Sequence, residues 1–279
     1  MAVAEKTRLV IEQIKPKIGA RVLVDRQALL SGEHAADLLD LLEQRGVLVF
    51  PRVSFTEDEQ IAFTNTLGKF TKEIFGAQVY KVSLDPTVTA TAEYLKGAFY
   101  WHFDGSMSPM PIRASILSAK VLSETGGNTE FCNTYAAYEA LPAEEKRMIE
   151  NLRVVHSNTS AQLCVEPEPT LEQWKGWKAV GVGRKELPLV WTHRSGRKSL
   201  VIGNTAYHVV GMDPLEGKEL LVHLRDWATQ PEFRYCHEWT VGDAVMWDNT
   251  GTLHRATPYP LDSGRLLNRT KLEGEEAIV

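Results

Sequence analysis

Cysteine is scarce in this chain. The three present, Cys132, Cys164 and Cys236, are far apart, odd in number and form no Cys-x-x-Cys pair. That excludes a disulfide framework and a thiolate zinc site, and it points to reduced, mostly buried thiols in a cytoplasmic protein. Long apolar runs are missing as well: nothing approaches the ~18 consecutive apolar residues of a membrane span. Glu5, Lys6, Arg8, Glu12, Lys15 and Lys17 interrupt the start of the chain, so no signal peptide is expected there. Nor is there a basic block. Thirty-one Lys and Arg stand against 36 Asp and Glu, a net charge of −5, which argues against nucleic acid as a partner. Lys15, Lys17 and Arg21 are scattered among apolar residues and read as a solvated edge. Internal repeats and low-complexity segments are absent too.

What remains is an ordinary globular composition. A length of 279 residues with 43% apolar content supports a sizeable core and suits one barrel-type domain over the whole chain. Ser31 to Arg45, with Ala35, Leu38, Leu39, Leu41 and Leu42 on one side and Gly46 at its end, predicts an amphipathic helix. Val47 to Phe50 predicts a buried strand stopped by Pro51. Thr56 followed by Glu59 is a capping-box pattern opening a helix through Ile61, Phe63 and Leu67. Ile112 to Leu122 reads as a core strand, with Gly126-Gly127 as the turn before Thr129. Tyr135 to Leu152 reads as a helix broken at Pro142, and Pro214 to Trp227 as another. Tyr235 to Trp239 alternates, and Gly242-Asp243 turns the chain into Ala244 to Trp247. Val165 to Arg184, rich in Pro, Glu and Gly, is the least structured-looking stretch.

His102 and Asp104 stand one residue apart in Tyr-Trp-His102-Phe-Asp104-Gly. On an extended strand, side chains two apart share a face, so an imidazole nitrogen and a carboxylate oxygen meet at one point. His254, in Asp248-Asn-Thr-Gly-Thr-Leu-His254-Arg-Ala, offers a second imidazole from a neighbouring strand. Two histidines and a carboxylate on one side of an ion, with open positions opposite, suit non-haem Fe(II) and its reaction with dioxygen. Alone, His-x-Asp arises by chance, and a single His102 is more often a hydrogen-bonded core residue than a ligand.

Arg265 and Arg269 follow, in Gly264-Arg-Leu-Leu-Asn-Arg269-Thr-Lys-Leu. Pro258, Pro260, Asp262 and Gly264 predict a loop before a strand, on which positions 265, 267 and 269 share a face and the two guanidiniums lie roughly 13 Å apart. On a solvated face these are surface arginines. On a face turned into a barrel beside His254 each needs an anion, because an unpaired buried charge is too costly to keep. The planar guanidinium fork suits carboxylates, so two inward arginines imply two anionic guests.

With these residues assembled, the chain resembles the Fe(II)/2-oxoglutarate-dependent dioxygenases of the TauD/TfdA type, named for taurine and phenoxyacetate-herbicide oxidation. The resemblance rests on Trp101-His-Phe-Asp104-Gly-Ser-Met, Thr125-Gly-Gly-Asn-Thr129-Glu-Phe, Gly242-Asp-Ala-Val-Met-Trp-Asp-Asn249, His254-Arg-Ala, Arg265 and Arg269. Thr129 falls twenty-seven residues after His102 and Arg265 eleven after His254, where the family carries its cosubstrate-binding threonine and arginine. The likeness runs from about Gly46 to about Leu272.

It implies a mixed α/β, mainly β fold: a double-stranded β-helix (jelly-roll) core with helices packed outside, and, by analogy, a flap near 165–184. It implies Fe(II) on His102, Asp104 and His254, and 2-oxoglutarate held by Thr129 and Arg265. Dioxygen would be consumed, succinate and CO2 released, and the substrate hydroxylated; halogenating relatives carry a small residue where Asp104 stands. Arg269 matches the position that binds a substrate sulfonate or carboxylate, the alternative being that it only pairs with an internal acid such as Glu273. By motif position Ala98, Phe99, Met107, Tyr207 and His208 line the substrate cavity. Ala98 departs from the polar residue of taurine-type enzymes, which favours a bulkier, partly aromatic acid, aryloxyalkanoate-like. Sulfonate or alkyl sulfate cleavage and a biosynthetic oxidation stay open, as do a non-catalytic jelly-roll binding protein and a zinc hydrolase on the same triad. Relatives form dimers or tetramers, so a homo-oligomer is expected.

Other residues keep plainer roles. His34 and His223 fall on polar sides of predicted helices, and His156, His193 and His237 carry no partner signature. Trp101 and Trp247 are expected to pack. Asp248 and Asn249 are either supports for the distal ligand or turn formers before Gly251.

Overall fold

A computed structural model describes residues 8–72, 76–179 and 183–279. Glu5 and Lys6, and residues 180–182 of the expected flap, lie outside the described residues. Within them the fold is mixed α/β with several β-sheets. The largest is seven-stranded, in the spatial order Val10–Gln13, Ala20–Leu23, Val47–Phe50, Ala244–Asp248, Ala114–Val121, Leu266–Leu272 and Tyr80–Val82. All its ladders are antiparallel except Ala20–Leu23 on Val47–Phe50.

The two-residue period of a strand explains how this sheet is covered on both faces. Ala114 and Ile116 point with Ala244, Met246, Leu48 and Phe50 into a core closed by Leu29, Leu38, Leu42, Phe63 and Leu67 of the helices. Leu117 and Ala119 point the other way, into a core with Val47, Val49, Val245, Trp247, Leu267 and Phe131. Phe131 belongs to a second sheet, ordered Arg234–His237, Thr129–Asn133, Thr252–Ala256. Its ring lies 5.5 Å from that of Trp247, so the two sheets pack face to face there. A third core gathers the helices Thr134–Ala140, Ala143–Ile149 and Pro214–Ala228 around smaller sheets built on Arg153–His156 and Val190–Thr192.

Local chemistry sets the helix ends. Thr56 accepts from the Glu59 amide while Glu59 returns a bond to the Thr56 amide, the complete capping box, worth about 1 kcal/mol. Gln60 then enters the core: its Nε2 donates to the carbonyls of Ile116 and Asn268, and its Oε1 accepts from Ser118, pinning the helix across two strands.

Four expectations change. The helix predicted from Ser31 is two: Arg26–Ser31, ended by Gly32 at φ 77°, and Ala35–Arg45, ended by Gly46. His34 sits at the junction, buried rather than on a polar face, because the chain folds back there. Within 165–184, Asn158–Val165 ends at its first residue and Leu171–Ala179 is helical, with Glu166, Pro167, Glu168 and Pro169 in the link between the helices. Of the cysteines only Cys132 is fully buried, and Cys236 is exposed. No helix among the described residues is long and apolar enough to cross a membrane.

Candidate metal and anion site

His254 lies mid-strand in Thr252–Ala256, paired on one side with Phe131. On its other side it forms an isolated antiparallel bridge with His102, each amide donating to the other's carbonyl at 3.1 and 2.8 Å. That bridge brings the two imidazoles to 4.2 Å between ring centroids. Asp104 is not on a strand, as the two-residue spacing suggested; it sits in the turn that follows His102. Asn249 builds that turn, accepting from the Asp104 amide at 2.9 Å and donating to its carbonyl at 2.6 Å. Asn249 is therefore a support for the ligand turn, while Asp248 accepts from the Thr250 amide and hydroxyl.

One ligand atom from each of His102, Asp104 and His254 lies within 4.8 Å of the others. The imidazole-to-carboxylate separations, 4.0 Å for His102 and 3.9 Å for His254, are too long for hydrogen bonds. A carbonyl only accepts, so the 2.8 Å contact from His102 Nδ1 to Tyr100 O makes Nδ1 the protonated nitrogen and leaves the Nε2 lone pair toward Asp104. Burial, aided by His102 and Arg269 against Asp104, drives the His254 pKa well below the ordinary range, so its ring is neutral. Burial raises the Asp104 pKa, but Arg269, His254, His102 and Lys271 together outweigh it and bring it to about 2. An ionised carboxylate beside two imidazole nitrogens is the donor set a divalent ion requires.

These groups open onto a cavity of about 500 Å³ whose walls also carry Thr129, Arg265 and Arg269. Arg265 is 3% exposed. Its Nη2 donates to Gly127 O at 2.8 Å, its plane lies 4.6 Å from the Tyr259 ring centre, and its Nε is buried without a partner. Among the described residues no acid pairs with it, and a buried guanidinium without a counter-charge could hold an anion entering the cavity. Gly127, at φ 74°, is what lets it pass, since a Cβ there would stand 2.8 Å from Arg265 Nε. Arg269 donates to Asp104 Oδ2 at 3.0 Å and lies 5.0 Å from the centre of Tyr80, its direct neighbour across the ladder. The internal acid that pairs with Arg269 is thus Asp104, while Glu273 pairs with Lys69.

The six residues singled out for metal, cosubstrate and substrate acid thus share one cavity. The substrate wall is only partly as expected. Ala98 and Met107 line it, but Phe99 does not; that ring packs edge-on against Tyr259 at 5.6 Å. Tyr207 and His208 also lie elsewhere, on Ala206–Val209, where a register shift against Arg153–His156 follows Ala206. Tyr207 is exposed, beneath Arg184. Tyr80, Tyr94, Met110 and Gln162 take those places. None of them lies in a motif, so only the fold reveals them.

The sequence profile described as "Taurine catabolism dioxygenase TauD, TfdA family" matches residues 11–271. The chain belongs to the TauD/TfdA family. A 2,4-dichlorophenoxyacetate dioxygenase dependent on α-ketoglutarate, from Burkholderia sp. (strain RASC), is 36% identical over 267 residues, 89% of this chain and 88% of the relative. An alkylsulfatase of Acinetobacter baylyi is 32% identical, covering 96% and 86%. The crystal structure of AAD-2 in complex with Mn(II) and N-oxalylglycine superposes with a TM-score of 0.83 at 33% identity, over 98% of this chain and 100% of that one. As a TauD/TfdA member the chain is an oxidoreductase, a dioxygenase that uses a metal, 2-oxoglutarate and O2.

Proposed function

We propose that this dioxygenase oxidises a small aromatic carboxylic acid of aryloxyalkanoate type, releasing succinate and CO2. The observation that carries the substrate class is Arg269: its guanidinium stands beside Asp104, facing a cavity walled by Tyr80, Tyr94, Met107, Met110 and Leu117. A carboxylate on Arg269 leaves the rest of such an acid against aromatic and apolar surface. The 2,4-dichlorophenoxyacetate dioxygenase relative is named for an acid of that kind.

His102, Asp104 and His254 would hold Fe(II), which would supply the coupling of O2 reduction to decarboxylation of 2-oxoglutarate. Arg265 pairs with the far carboxylate of 2-oxoglutarate, and Thr129 donates its hydroxyl hydrogen to the same group. Arg269 fixes the substrate acid, so that the carbon to be oxidised is set by the distance from its own carboxylate. The apolar wall excludes water from the reacting atoms.

A jelly-roll core and a single domain over the chain belong to the same proposal, supported by the packing of the two sheets through the tilted contact of Phe131 with Trp247. So does a cytoplasmic homo-oligomer, whose size light scattering behind gel filtration measures. A sulfate ester is the second reading, favoured by the alkylsulfatase relative and by the equal fit of a guanidinium fork to sulfate. Succinate formation across aryloxyacetates, aryloxypropionates and alkyl sulfates tests the choice. The proposal expects aryloxy acids to turn over fastest and Arg269→Ala to abolish the preference. Faster turnover of neutral substrates, untouched by Arg269→Ala, contradicts it.

A further inference from the structure

Thr129 is one half of the anion clamp, and its hydroxyl has a single hydrogen to give. Trp239 Nε1 donates to Thr129 Oγ1 at 3.0 Å. An indole N–H only donates, so this bond occupies an acceptor position on the hydroxyl and turns its hydrogen away from Trp239. Thr129 lines the cavity and lies only 4% exposed, which makes the cavity the place where that hydrogen finds an acceptor.

The indole is itself held. Tyr235, His237 and Trp239 alternate along one side of the chain, as the two-residue period of Tyr235 to Trp239 dictates. The Trp239 ring meets His237 edge to face at 4.5 Å and 88°. His237 is hydrogen-bonded through Nδ1, 2.9 Å from Tyr235 Oη, while its Nε2 stands 3.3 Å from Asp243 Oδ2 without a hydrogen bond. Asp243 accepts in turn from the amides of Arg52 and Thr240. His237 is also the direct ladder partner of Thr129, so the row is registered on the residue it serves. A row anchored on buried His237 and ending on a cavity hydroxyl does more than fill space, since an apolar side chain would pack against His237 equally well.

We infer that Trp239 is a positioning residue for the cosubstrate: it fixes the polarity of the Thr129 hydroxyl so that it donates to the 2-oxoglutarate carboxylate held by Arg265. The inference rests on the proposed function. It makes affinity for the keto diacid depend on an N–H group that never touches it.

The test is a double-variant cycle on N-oxalylglycine binding to the Mn(II)-loaded protein, measured calorimetrically for the parent, Trp239→Phe, Thr129→Val and the pair. Phenylalanine keeps a ring against His237 and removes only the donor. Trp239→Phe is expected to weaken binding about three- to tenfold, the scale of one oriented hydrogen bond. Thr129→Val should weaken it at least as much, and the pair no more than Thr129→Val alone, because the N–H acts only through the hydroxyl. A thermal midpoint for Trp239→Phe near that of the parent accompanies this result; a collapsed midpoint together with additive losses assigns Trp239 to packing and overturns the inference. Parent-like binding by Trp239→Phe overturns it too. A parent that binds no N-oxalylglycine overturns the proposed function itself, and this inference with it.

Discussion

Gly127→Ala isolates the contribution of the buried arginine. Gly127 sits at φ 74°, and a Cβ there would meet Arg265 Nε at 2.8 Å and Cδ at 2.9 Å, closer than side-chain carbons approach. Alanine therefore imposes two costs. One is left-handed backbone strain of about 1–2 kcal/mol. The other is displacement of the guanidinium from the wall it shares with Gly127 O and Tyr259. Gly196→Ala separates them, because Gly196 has φ 84° and nothing within 4 Å of the added carbon. Both variants should lose stability to the strain, Gly127→Ala losing more through the clash, and only Gly127→Ala should lose cosubstrate affinity. A charge-assisted hydrogen bond contributes about 1.5–3 kcal/mol, so at about 1.4 kcal/mol per factor of ten the loss is roughly 10- to 150-fold. Calorimetric titration of the Mn(II)-loaded protein with N-oxalylglycine reads it directly. Affinity within twofold of the parent for Gly127→Ala would refute the assignment of Arg265 to the anion.

Other outcomes follow from single contacts. Asn249→Ala removes both bonds that shape the Asp104 turn and should weaken Mn(II) binding about 10- to 100-fold in a titration, with the fold retained. Gln60→Leu leaves the Ser118 hydroxyl and two strand carbonyls without their buried partner and should cost about 2–4 kcal/mol in urea unfolding. Burial holds the His156 pKa down to about 4, against about 6.5 in the unfolded chain, so the unfolded state binds the extra proton between those values. Stability from this group is complete above pH 6.5, falls by roughly 3 kcal/mol as pH drops to 4, and levels below. His193, lowered by burial and Arg197 to about 4, adds to the same slope. His156→Asn should flatten unfolding curves across that window.

The site was more legible in the sequence than its surroundings, for a physical reason. Metal ligands and charged anchors are constrained by chemistry, so His102, Asp104, Thr129, His254, Arg265 and Arg269 show as residue types at fixed spacings. The capping box at Thr56 and the stop at Gly46 were equally readable, being encoded within four residues. The substrate wall is different. Its apolar members are interchangeable and come from segments with no fixed offset from the ligands: Tyr80 enters through a strand pairing with Leu266–Leu272, and Gln162 through the helix Asn158–Val165, for which no element is predicted. Counting along the chain placed Tyr207 and His208 in that wall, yet their strand pairs with Arg153–His156, outside the two sheets that carry the clamp. His34 likewise reads as polar surface until the turn at Gly32 folds it inward.

Everything depends on one ion and one keto diacid meeting at His102, Asp104 and His254. Anaerobic addition of Fe(II) and then 2-oxoglutarate, followed by visible absorption, tests this most directly. A charge-transfer band that needs both additions and is absent in Asp104→Ala is the predicted result. No band in the parent, or an undiminished band in Asp104→Ala, contradicts the account.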